Sequence, residues 1–150
     1  MFLRGVVGER FCVRNSGATV VAEAVGDHAL EYMTGGYAVI LGPTGRNLGA
    51  GMSGGLAFVL DLDRDLVNGE LVDVEGVTGE LADVLREIMY EHAGCTESPV
   101  AATLLNGWPD ALSRFSAIVP RDYRRVLDAT RRARAAGEDV DVAVMAAARG

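Results

Sequence analysis

Residues 14–61 read RNSGATVVAEAVGDHALEYMTGGYAVILGPTGRNLGAGMSGGLAFVLD, and this stretch decides the fold. A polar residue, a small residue, a glycine and an apolar run recur three times, from Asn15-Ser16-Gly17, Thr34-Gly35-Gly36 and Ser53-Gly54-Gly55. Gly17, Gly36 and Gly55 stand at intervals of 19 residues. The apolar runs keep step: Val20, Val39 and Phe58 share one position, and Val21, Ile40 and Val59 the next. Gly26 and Gly45 align as well. A unit this short cannot bury a core of its own, so successive units must stack.

Helical repeats need longer units, and the Leu/Asn ladder of leucine-rich repeats is missing. The period therefore predicts a parallel β-helix, one coil per repeat, with strands stacked about 4.8 Å apart. Gly17, Gly36, Gly55, Gly26 and Gly45 become its structural corner residues, where the chain turns sharply. The alternative is a Gly-rich antiparallel sandwich with accidental spacing. Two equal intervals that carry the apolar positions with them favour the solenoid. Phe11-Cys12-Val13 aligns with Leu30-Glu31-Tyr32, so the repeat is already running near Met1.

The chain has 150 residues and 49% apolar composition, room for one compact domain. No apolar run is long enough to cross a membrane, and Met1-Phe2-Leu3-Arg4 opens no signal peptide; a cytoplasmic protein is expected. The net charge is −7, with eleven acids against two arginines between Asp61 and Glu97. No basic stripe crosses the repeat, which argues against nucleic acid. Cys12 and Cys95 are too few and too far apart for a disulfide framework or a thiolate metal site. Cys12, between Phe11 and Val13, reads as a buried inert thiol.

Beyond Asp61 the period fades. Asp61-Leu62-Asp63-Arg64-Asp65 reads as a charged rim, and Leu71-Val72-Asp73-Val74 as a last strand. Leu81, Val84, Leu85, Ile88, Met89 and His92 then trace one face of a helix, with Gly94 as its stop. Ser98-Pro99 opens a second helix that ends near Gly107. Trp108 packs the helical part on the coils. A third helix runs from Pro120 to about Ala136, with Gly137 as stop. The expected organisation is a β-helix over 1–76 of three to four coils, a helical cap over 77–137, and a tail over 138–150.

Little chemistry is legible. Gly42–Gly49 suggests a phosphate cradle but lacks the Lys and the following helix that such loops need. Asp27, His28 and Ser53 hold triad residue types with no readable geometry. Glu31 is expected to pair Arg14 or Arg46, and His92 to be a satisfied packing residue. No catalytic, cofactor-binding or metal-ligating residue is nominated.

Longer strings are more specific. Gly8-Glu9-Arg10-Phe11, Val13–Ala18, Gly26-Asp27-His28, Glu31–Gly36, Leu41–Asn47 and Ala50–Gly55 resemble the C-terminal Gly-rich domain of the glutamate synthase large subunit. His92, Thr96-x-Ser98, Trp108 and Val119-Pro120-Arg121-Asp122-Tyr123 extend the resemblance over roughly residues 3–130. It implies a right-handed parallel β-helix in a cytoplasmic enzyme that makes glutamate from glutamine and 2-oxoglutarate. It implies that this domain is a non-catalytic brace between an amidotransferase domain and a domain carrying FMN and an iron–sulfur cluster. Position 2 is Phe rather than the amidotransferase Cys, and neither cofactor has a site here. The chain is thus expected to be a fragment or separately encoded piece of that complex. Its partners would be the other domains or subunits, and the isolated chain would self-associate. The alternative is an independent small ligand-binding protein or enzyme using Gly42–Gly49.

Overall fold

The computed structural model describes residues 1–149. Ten elements follow in order: β1 (Ser16–Ala22), β2 (Thr34–Ile40), β3 (Gly54–Leu60), β4 (Val72–Gly76), α1 (Gly79–Thr96), α2 (Pro99–Asn106), α3 (Trp108–Ser113), β5 (Phe115–Pro120), α4 (Arg121–Ala136) and α5 (Val140–Arg149). The strands form one sheet ordered β1-β2-β3-β5-β4. β1, β2 and β3 are parallel, whereas β5 is antiparallel to both β3 and β4.

The 19-residue period is the parallel register. Tyr37 faces Leu56, Val39 faces Phe58 and Ile40 faces Val59. Between β1 and β2 an irregularity after Ser16 shifts the pairing by one, so Val21 faces Val39 and Val20 faces Ala38. β3, β5 and the second halves of β1 and β2 are buried on both faces, which is why those segments read as unbroken apolar runs. Leu56, Phe58 and Leu60 of β3, with Phe115, Ala117 and Val119 of β5, meet Leu85, Ile88 and Met89 of α1, Leu104 of α2 and Trp108 of α3. Ala57, Val59 and Ile118 point the other way, onto Phe11, Leu30, Met33, Leu48 and Met52.

The second layer is built from turns rather than strands. Arg10, Cys12 and Arg14, then His28, Leu30 and Tyr32, then Asn47, Gly49 and Gly51 all take positive φ, at every second residue. The three turn segments bond to one another: Arg14 N–H donates to Glu31 O (2.8 Å), Leu30 N–H to Phe11 O (2.7 Å) and Gly49 N–H to Ala29 O (3.0 Å). Left-handed backbone is disfavoured for residues with a Cβ. These stacked bonds tie together turns that contain seven such residues.

The expected parallel β-helix is therefore overturned. A β-helix needs strands on every side of each turn. Here each repeat supplies one strand, its return path alternates into left-handed backbone, and β5 closes the parallel run antiparallel to β3. The result is a mixed, open five-stranded sheet with five helices.

β5 lies inside the stretch expected to be wholly helical. Gly94 does not stop α1, which continues to Thr96 and ends on Glu97 in left-handed conformation (φ 52°). α2 starts as expected, with Ser98 accepting Ala101 N–H and Pro99 at its first position. α4 ends on left-handed Gly137. Trp108 joins the core beside Phe115, ring centroids 6.0 Å apart. Among the described residues no helix is long and apolar enough to cross a membrane.

Candidate functional site

The polar residues singled out in the sequence are engaged in cross-ties. Asp27 accepts the backbone N–H of Arg46 (2.7 Å) and its guanidinium (3.1 Å), one repeat later. The Arg46 N–H and guanidinium hold the Asp27 carboxyl below the ordinary carboxylate range. His28 Nδ1 lies 2.7 Å from Glu31 Oε1. The structure thus brings Glu31 to His28, three residues away, rather than to the side chain of Arg14 or Arg46. Asp27 and His28 point to different partners, and no relay joins them to Ser53 among the described residues.

Gly42–Gly49 is divided among several tasks. Leu48 is buried in the core. Gly45 stacks on Gly26, and its N–H donates to Gly26 O (3.3 Å). Leu48 N–H donates to Leu66 O and Gly49 N–H to Ala29 O, both at 3.0 Å. With Arg46 N–H on Asp27, these amides are spent inside the protein and cannot converge on a phosphate. Gly42, Pro43 and Thr44 line an open space on one side, whereas Arg46 and Asn47 are exposed outside it.

That space is a cleft of about 750 Å³, bounded by residues 41–44, the end of β3, the 61–66 loop, the start of α2 and Arg114. Its walls are mostly apolar, with Leu41, Leu62, Leu66, Val100 and Leu104 prominent. At its rim Arg114 Nε donates to Asp61 Oδ1 (3.0 Å), and a second guanidinium nitrogen reaches Asp61 Oδ2. Asp61 N–H returns a bond to Arg114 O (2.9 Å). The guanidinium holds the Asp61 carboxyl down, and the carboxylate raises Arg114. Asp63 accepts Asp65 N–H at the start of a 3₁₀ turn, Arg64–Leu66. Sequence reasoning read residues 61–65 as a rim but did not find the α2 wall or Arg114. Those lie 34 or more residues beyond Asp65, and no local signal links them to the rim.

A second constellation joins the helices to the loop after β1. Glu23 accepts the Ser98 hydroxyl at 2.5 Å and lies 3.7 Å from His92 Nε2. His92 is completely buried, as a packing histidine should be, but neither ring nitrogen has a hydrogen-bond partner. Burial pulls its pKa below the usual value, against the opposing pull of Glu23. Cys12 is a free, half-buried thiol that burial pushes up to about 12, consistent with low reactivity. Among the described residues no three His, Cys, Asp or Glu side chains are grouped to hold a metal ion.

Comparison with known proteins agrees with the resemblance. The family model described as "GXGXG motif" matches residues 1–121. The chain is 51% identical over 132 residues to a glutamate synthase [NADH] of Schizosaccharomyces pombe, covering 85% of this chain and 6% of that protein. It is 39% identical over 149 residues to the glutamate synthase [NADPH] large chain of Bacillus subtilis, covering 96% of this chain and 10% of that one. A ferredoxin-dependent glutamate synthase of Pyropia yezoensis is 48% identical over 124 residues, 80% of this chain and 8% of the relative. The chain thus spans a tenth or less of the length of these relatives. With the triple Gly-anchored strand repeat of residues 16–60 and the family match across 1–121 in agreement, the chain belongs to the GXGXG motif family, in the form found in glutamate synthases.

Proposed function

We propose that this chain is a non-catalytic bracing module of a glutamate synthase-type complex, which makes glutamate from glutamine and 2-oxoglutarate. One observation carries the reading: side chains that chemistry would need are used as ties between repeats and layers. Asp27 binds Arg46, Asp61 binds Arg114, Glu23 binds Ser98, and the loop amides bond within the fold. A frame of this kind transmits position rather than electrons or protons. In this reading FMN and the iron–sulfur cluster belong to the remainder of the complex. The partners are its other domains or subunits, in the cytoplasm, and the isolated chain self-associates.

The test is turnover in two settings. The purified chain, given glutamine, 2-oxoglutarate and a reductant, should form no glutamate. Placed in the Bacillus subtilis large chain in exchange for the matching segment, it should support glutamate formation. Activity of the chain alone, or failure of the exchanged protein to assemble, would overturn the proposal.

A further inference from the structure

The cleft between residues 41–44, 61–66 and the start of α2 has no partner among the described residues, and its chemistry narrows what can fill it. Its volume is in the range of a specific binding pocket, and its walls are largely apolar. Arg114, the one guanidinium lining it among the described residues, is held by both oxygens of Asp61. An anionic metabolite would find no free positive charge there, and a polar amino acid would leave its charged groups against leucines. Around the mouth the charge is acidic. The 61–66 loop that bounds it carries three acids, Asp61, Asp63 and Asp65, against one basic residue, Arg64. Val100, on the first turn of α2, is 39% exposed at the cleft.

From these features we infer that the cleft is a docking site for another part of the glutamate synthase polypeptide: an apolar side chain or short segment flanked by basic residues. The inference rests on the function proposed above. Two arguments select this occupant. The acidic rim complements basic flanks and repels a second copy of the same rim. The relatives are ten or more times longer than the stretch they share with this chain, so ample polypeptide exists to fill the cleft. An apolar residue entering it would exchange water for leucine and valine walls, the usual setting of an interface anchor.

Hydrogen exchange tests this in the exchanged Bacillus subtilis large chain and in the chain alone. Amides of residues 61–66 and 100–104 should exchange roughly tenfold or more slowly in the large chain. Val100→Glu should abolish that difference, while the chain alone melts as before because Val100 lies at the surface. Unchanged exchange in an assembled, active large chain overturns the docking site and leaves the bracing role standing. A large chain that does not assemble overturns both. Protection of the isolated chain by glutamine or 2-oxoglutarate, or by self-association that Val100→Glu removes, replaces the proposed occupant with a ligand or a second copy.

Discussion

Glu23 accepts a 2.5 Å hydrogen bond from the hydroxyl of Ser98, 75 residues further along the chain. The same hydroxyl oxygen accepts Ala101 N–H and so starts α2. One atom therefore caps a helix and ties it to the loop leaving β1.

Removing that hydroxyl should cost more than a cap. Ser98→Ala loses the N-cap, about 1 kcal/mol, and leaves a partly buried carboxylate without its donor, about 1 kcal/mol or more. Urea unfolding should show a combined loss of about 2 kcal/mol. In a double-mutant cycle with Glu23→Ala, the two losses should fall short of additivity by more than about 0.5 kcal/mol. Strict additivity would mean that the bond contributes nothing to stability.

The nominated corner glycines should not behave alike. Gly36 has φ +85°, and a Cβ built there would lie 2.9 Å from Ala18 N and from Gly17 C. At Gly45 it would lie 2.6 Å from Gly26 C and closer still to Asp27. Both neighbours are backbone, which cannot swing aside. At Gly17 a Cβ meets nothing within 4 Å, and φ is not in the left-handed range. Gly36→Ala and Gly45→Ala should each lose about 3 kcal/mol or fail to fold. Gly17→Ala should stay within about 0.5 kcal/mol of wild type. Equal effects at positions 17 and 36 would contradict this reading of the stack.

These glycines also show how far the sequence could be read. The period of 19 was legible because it is the register of β2 on β3, where Val39 faces Phe58 as the alignment paired them; between β1 and β2 the irregularity after Ser16 puts Val20 against Ala38 instead of Val39. The step from period to β-helix failed because equal spacing says nothing about the return path. Leu30 and Cys12 look like strand residues by type, yet both take positive φ. β5 went unread because Phe115–Pro120 is a short apolar run without alternation, flanked by clear helical patterns. It sits between β3 and β4, so its burial on both faces erased the two-residue period. The cleft was invisible for a different reason: its walls come from four distant segments, and only the fold brings them together.

Arg121 is expected to act as a clamp rather than as a surface charge. Its Nε donates to Asp73 Oδ1 (3.0 Å), Nη1 to Glu70 O (2.7 Å) and Nη2 to Gly69 O (3.0 Å). A planar fork can reach three acceptors at once, and an ammonium cannot reproduce that geometry. Arg121→Lys should change global stability by less than about 1 kcal/mol, because the ion pair is exposed. Amide exchange over residues 69–73 should nevertheless rise several-fold, roughly as in Arg121→Ala. A lysine variant with wild-type exchange would reduce Arg121 to its charge.

His92 should make stability depend on pH. Among the described residues Glu23 is the one titratable group that acts on its ring; Phe2 packs 6.1 Å away, and the Thr96 hydroxyl donates to the His92 carbonyl. Burial lowers its pKa below 6.5 in the folded chain, whereas in the unfolded chain it titrates near 6.5. The unfolded state therefore binds the extra proton first as pH falls. This contribution to stability is fully present above 6.5 and is lost progressively from there down to the folded pKa. Unfolding free energy should thus decline as pH falls below about 6.5, and His92→Gln should flatten that part of the profile. Ring-proton resonances should place the His92 midpoint below 6.5. A midpoint above that value would mean that Glu23 outweighs burial, and the slope would then reverse, with stability gained on acidification.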